Sequence, residues 1–145
     1  LKLLFKDNEN NNPTGLSALA TTLRTHFTTA IKQYYLSSAP QCPFPDASNP
    51  TAMLLQCDFV WVQFYNNPSC EIGSGGFKDS VKQWSTALEQ STMAKKPRLY
   101  LGVPAWSEAG SSAYGAVGGA KGMEGVVRGV EQMGLVNFGG IMFWE

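Results

Sequence analysis

Apolar and polar positions follow two rhythms along this chain, one near 3.6 residues and one near two, and they alternate. Residues 16–27 carry apolar side chains at helical spacing behind Thr14, a candidate cap, and residues 34–39 read as a strand that Pro40 ends. A short helix is predicted over residues 51–56, a strand over 59–65, and a longer helix over 77–92 with Val81, Trp84 and Leu88 on one side. Pro97 opens a strand over residues 98–103 and Pro104 closes it. A Gly-rich loop at 115–122 leads into a helix from about Met123 to Met133, and residues 138–144 form a last strand. Strands and helices alternate without hairpin signals, which predicts parallel βα units.

One strand ends unusually. Val60 to Asn67 reads V-W-V-Q-F-Y-N-N, an apolar run that finishes in three different hydrogen-bonding groups. Alternation puts Trp61, Gln63 and Tyr65 on one face, with Val62 and Phe64 on the other. An aromatic and amide-rich face at a strand's C-terminal end suits a polar organic ligand, because parallel α/β barrels build their sites at that end.

Composition narrows the classes without naming one. Eleven basic and eleven acidic residues balance, so no basic footprint for nucleic acid or an anionic membrane is present. The longest apolar runs are too short to span a bilayer, and L-K-L-L-F-K-D at the N-terminus lacks the pattern of an export signal. The single histidine, His26, and the absence of a cysteine pair at ligand spacing predict no metal site and no cofactor. Gly118-Gly119-Ala120-Lys121 is not a phosphate loop, since Lys121 follows Ala120 and no Ser or Thr comes after it.

The segments Y-L-S-S-A-P-Q-C-P-F-P-D-A at Tyr35 to Ala47 and D-F-V-W-V-Q-F-Y-N-N-P-S-C at Asp58 to Cys70 resemble glycoside hydrolase family 18. The likeness is to the class III, hevamine-like chitinases of plants and fungi. R-L-Y-L-G-V-P-A at Arg98 to Ala105 and F-G-G-I-M-F-W-E at Phe138 to Glu145 extend it in the same order over nearly the whole chain. The resemblance implies a TIM (β/α)8 barrel. Such a barrel typically needs about 250 residues, so the 145 residues here are expected to form an incomplete C-terminal part, about barrel strands 4 to 8, as one domain.

The resemblance also implies chemistry. Family members carry a D-x-x-D-x-D-x-E motif, and E-N-N-N-P-T-G at Glu9 to Gly15 resembles the stretch directly after that motif in fungal members. Glu9 then stands for the catalytic acid and Asp7 for the last aspartate, while Lys2 and Phe5 occupy the two earlier aspartate positions. In this family the substrate's own acetamido oxygen attacks the anomeric carbon, so one acid and a means of orienting the amide suffice. By the same match Tyr65 donates to the acetamido oxygen, Gln63 and Asn66 bind the sugar's polar groups, Trp144 forms an apolar floor and Gln41 lines the cleft.

Cys42 and Cys70 each sit just past a strand end in a Pro-rich loop, which makes the loops neighbours, and the resemblance implies a disulfide between them. Cys57, among Leu54, Leu55 and Phe59, is expected to be a buried thiol. The partner implied is chitin or a chitooligosaccharide, outside the cell, with self-association through open sheet edges. The function expected is that of an endo-type chitinase fragment without turnover by itself. The alternatives are an inactive chitin-binding or inhibitor-like protein on the same scaffold, favoured by Lys2 and Phe5, and a non-functional gene fragment, favoured by the length.

Overall fold

A computed structural model describes residues 14–145 and, as backbone, the strand Lys2–Phe5; Asp7 and Glu9 lie outside the described residues. Strands β1 (Lys2–Phe5), β2 (Tyr35–Ser38), β3 (Phe59–Gln63), β4 (Arg98–Pro104) and β5 (Phe138–Trp144) form one sheet in sequence order. All four pairings are parallel. Helices α1 (Leu16–Thr28), α2 (Thr51–Leu54), α3 (Phe77–Leu88), α4 (Ser111–Ala116) and α5 (Ala120–Glu131) fall between the strands, with a short 3-10 turn at Ser107–Ala109. Parallel neighbours need crossovers, and the helices supply them.

The core lies between the sheet and these helices. Val60, Val62 and Phe64 from one face of β3 and its extension are fully buried, together with Leu99, Leu101 and Val103 of β4 and Val81, Trp84 and Leu88 of α3. Phe64 meets Phe77 edge-on with centroids 5.2 Å apart, an arrangement that aromatic quadrupoles favour. Polar ties fix the layers: Asp58 accepts the Leu36 N–H and an Arg24 N–H, both at 2.8 Å, joining α1, β2 and the entry to β3. Ser85 and Asn137 exchange hydrogen bonds of 2.7 and 3.0 Å and tie α3 to the start of β5. Phe59, Trp61, Tyr100, Ile141 and Met142 line a shallow hollow on the sheet.

Four of the differences from the sequence expectation have a local reason. The cap of α1 is Gly15 in the left-handed region, φ 90°, with no side-chain cap bond, rather than Thr14. Strand β3 stops at Gln63 instead of residue 65, because Asn66 takes φ 58° and turns the chain. Helix α3 ends at Leu88, four residues early, in a tightened turn where Gln90 and Ser91 donate to Ala87 and Leu88. The Gly-rich 115–122 stretch is largely helical: α4 runs into it and α5 starts at Ala120, separated by Gly118 and Gly119, both at φ 73°. Gly122 has no room for a Cβ, which would collide with the Val117 carbonyl.

Candidate functional site

The C-terminal ends of β2 to β5 carry three loops that are hydrogen-bonded to one another. The β2 loop is organised by Asp46, whose carboxylate accepts N–H groups from Gln41 at 2.8 Å, Ser48 at 2.9 Å and Asn49 at 2.6 Å. An aspartate that gathers amides ahead of it holds a turn open without regular structure. The carbonyl of Cys42 in this loop accepts from both Ser80 and Trp84 of α3, at 2.7 and 2.8 Å. Cys42 is bonded to Cys70 of the β3 loop, 28 positions further along the sequence, with an S–S distance of 2.05 Å. Cys57 is a free buried thiol, and burial pushes its pKa up to about 12.

The β3 loop carries most of the expected residues. Gln63 is 6% exposed and its amide donates to the Ala39 carbonyl at 2.6 Å, across the strand pair that also bridges Gln41 and Gln63. Tyr65 is 4% exposed, and burial pushes its phenol up to about 12, so the hydroxyl stays a proton donor throughout the neutral range. Asn66 is exposed, and its left-handed backbone sends the chain sharply away from Tyr65. Asn67 follows with an amide that donates to Gln41 Oε1 at 2.9 Å and to the Tyr65 carbonyl at 3.3 Å. Thus Gln41, Gln63, Tyr65 and Asn66 are brought together on two adjoining strand ends.

Trp144 reaches the same end from β5. It pairs in register with Pro104, its carbonyl accepts the Ala105 N–H at 2.8 Å, and it is 40% exposed. The bridge to Tyr65 is made by Gly110: a Cβ there would come within 3.0 Å of Tyr65 Cβ and 3.4 Å of Pro104. Tyr65, Pro104 and Trp144 therefore succeed one another around the rim. Asp7 and Glu9, outside the described residues, follow β1, the far edge of the same sheet.

Several residues that hold this rim were not singled out in the sequence. Glu71, 6% exposed, accepts the Asn67 N–H at 3.0 Å and the Ser112 hydroxyl at 2.5 Å, which joins the β3 loop to α4. Its position directly after Cys70 was the available signal. Asp46 is the other, and the run P-D-A-S-N carries the composition of an aspartate turn. A cavity of about 580 Å³ lies at the opposite end of the sheet, between Tyr35, Asp58 and Arg98. That end of a parallel barrel serves stability, so its size does not make it the site. Among the described residues no group of three or more His, Cys, Asp and Glu side chains is placed to hold a metal.

No family model matches the chain. It is 39% identical over 140 residues to "Endochitinase 3" of Metarhizium robertsii, covering 96% of this chain and 42% of that protein. It is 42% identical over 142 residues to "Endochitinase" of Saccharomyces cerevisiae, covering 96% of this chain and 24% of that protein.

The chain belongs to the family 18 chitinases of the class III type.

It spans less than half the length of these relatives. Among solved structures, a xylanase and α-amylase inhibitor protein in complex with trehalose superposes with a TM-score of 0.73 at 26% identity, covering 99% of this chain and 49% of that one. The five-stranded parallel sheet is accordingly an incomplete part of the chitinase TIM barrel.

Proposed function

We propose that this chain carries the sugar-binding side of an endo-chitinase cleft. The polymer it serves is β-1,4-linked N-acetylglucosamine, cleaved with retention by the substrate-assisted route. The observation that carries this reading is Tyr65, a buried phenol held protonated at a strand end, beside exposed Asn66 and in line with Trp144. Its hydroxyl would donate to the acetamido oxygen as that oxygen attacks, a bond that strengthens as charge develops. Trp144 would take the apolar face of the ring, and Gln41 and Asn66 its polar edge. Gln63 would hold the strand ends in register through Ala39 while presenting its amide oxygen to the sugar.

Glu9 would protonate the leaving oxygen, with Asp7 two residues before it holding the acetamido N–H. The chain would then supply barrel strands 4 to 8, in an extracellular setting and with no cofactor. A half barrel leaves two sheet edges and an apolar inner face open, so self-association is expected and turnover by the isolated chain is not.

A second reading is a catalytically inactive sugar-binding or inhibitor-like protein, supported by Lys2 and Phe5 at the positions of two family aspartates and by the likeness to the inhibitor protein bound to trehalose. Hydrolysis separates the two. When the chain is joined to the N-terminal half of a fungal relative, cleavage of a fluorogenic chitotrioside that Glu9→Gln abolishes supports the enzyme. Binding of chitotriose without cleavage supports the second reading.

A further inference from the structure

The cavity of about 580 Å³ at the N-terminal ends of the strands is remote from the candidate cleft, and it falls within the size range of small-molecule sites. Its charge is what calls for an occupant. Lys95, Lys96 and Arg98 line it with three cations, against the carboxylates of Asp58 and Glu89. Asp58 is already engaged, since it pairs with Arg24 at 2.8 Å and accepts the Leu36 N–H. Among the described residues the ion pairs are Arg24–Asp58 and Arg128–Glu124, so none of the three cations has a carboxylate partner. With Glu89 set against them, two positive charges around one cavity stay unbalanced.

The walls that carry these cations are tied down. The Ser91 hydroxyl donates to the Leu55 carbonyl at 2.6 Å and accepts the Met93 N–H at 3.2 Å, and the Lys96 ammonium donates to the Ser91 carbonyl. Arg98 rests its backbone N–H on the Asp58 carbonyl at 2.9 Å and its guanidinium on the Phe138 carbonyl at 2.6 Å. A carbonyl orients a cation without cancelling its charge, and both side chains keep further N–H donors. A flat apolar wall completes the cavity, because Tyr35 and Phe59 also line it, with ring centroids 5.5 Å apart.

We infer that this cavity binds a small phosphate monoester carried on a flat ring. Such a phosphate bears about −1.5 to −2 charge at neutral pH, which matches the unbalanced cations. Arg98 and the lysines take its oxygens, the guanidinium through a planar fork of N–H donors, and Tyr35 and Phe59 take the ring. A neutral sugar gains nothing from these cations, so the site stands apart from the cleft and from the reading given to it.

Calorimetric titration of the purified 145-residue chain with phenyl phosphate, inorganic phosphate and phenol tests it. Phenyl phosphate is expected to bind more tightly than either fragment, with an affinity that falls as sodium chloride is raised. Lys95 and Lys96 are exposed loop residues, and their joint replacement, Lys95→Gln with Lys96→Gln, is expected to cost about tenfold or more. Phe59→Leu is expected to weaken phenyl phosphate and leave inorganic phosphate unchanged. Unchanged circular dichroism in both variants excludes a folding defect. No binding of phenyl phosphate, an affinity equal to that of inorganic phosphate, or one that the double variant leaves unchanged would overturn the inference. Displacement of phenyl phosphate by chitotriose would put the ligand in the cleft and overturn it as well.

Discussion

Ser112 donates its hydroxyl to Oε1 of Glu71 at 2.5 Å, linking residues 41 apart in sequence, while Oε2 of the same carboxylate accepts the Asn67 N–H at 3.0 Å. One buried side chain thereby sets the distance between the turn that ends in Tyr65 and the helix that follows β4.

Removing that buried carboxylate takes the acceptor from the part-buried Asn67 N–H and from the hydroxyl of exposed Ser112. Glu71→Ala is expected to lower stability by about 1.5–3 kcal/mol, and Ser112→Ala by about 1 kcal/mol. Urea denaturation of both variants and of the double variant measures this, and additive losses would show that the two groups are not coupled.

The disulfide makes a second prediction. Cys42 and Cys70 are the bridged pair and Cys57 stays reduced, so non-reducing peptide mapping should recover one linked pair. Reduction is expected to cost about 2–4 kcal/mol, the usual range for a native bridge. At pH 8 a thiol raised to about 12 is ionised in roughly one molecule in ten thousand, so Cys57 should resist iodoacetamide until denaturant is added. Rapid alkylation in the native state would contradict its burial.

Alkaline pH should weaken the fold. Cys57 rises from 9.0 and Tyr65 from 10.0, each to about 12 by burial, so both release protons more readily when unfolded. The stability they contribute is complete below about pH 9 and is lost as pH climbs toward 12. The urea midpoint should therefore fall between pH 8.5 and pH 11, and fall less in the Cys57→Ala, Tyr65→Phe double variant; a flat profile would count against both burials.

Much of this architecture was legible because its punctuation is covalent. Pro40, Pro97 and Pro104 bound strands that the structure places within a residue or two of expectation, and β5 matches its predicted limits. Helix α4 was not legible, since S-S-A-Y-G-A is too short to show a helical period and is poor in helix formers. The site divides in the same way. Tyr65, Asn66 and Trp144 were reached through the family resemblance, and Tyr65 also through the polar end of its strand. Asn67, Glu71 and Ser112 work through contacts between loops that no local pattern encodes.

Within a complete barrel, Tyr65→Phe should act chiefly on turnover. The hydroxyl is needed most when the acetamido oxygen attacks, so kcat should fall on the order of a hundredfold with a smaller change in KM. An unchanged kcat would remove Tyr65 from the reaction.

The most direct test is hydrolysis of a fluorogenic chitotrioside by the purified, monomeric 145-residue chain, before and after the N-terminal half of a fungal relative is supplied. No turnover is predicted from the chain alone, because the geometry between Glu9 and Tyr65 depends on strands it does not contain. Turnover is predicted once the barrel is complete, lost again in Tyr65→Phe. Turnover by the chain alone, abolished by Glu9→Gln, would contradict the proposed half-barrel role.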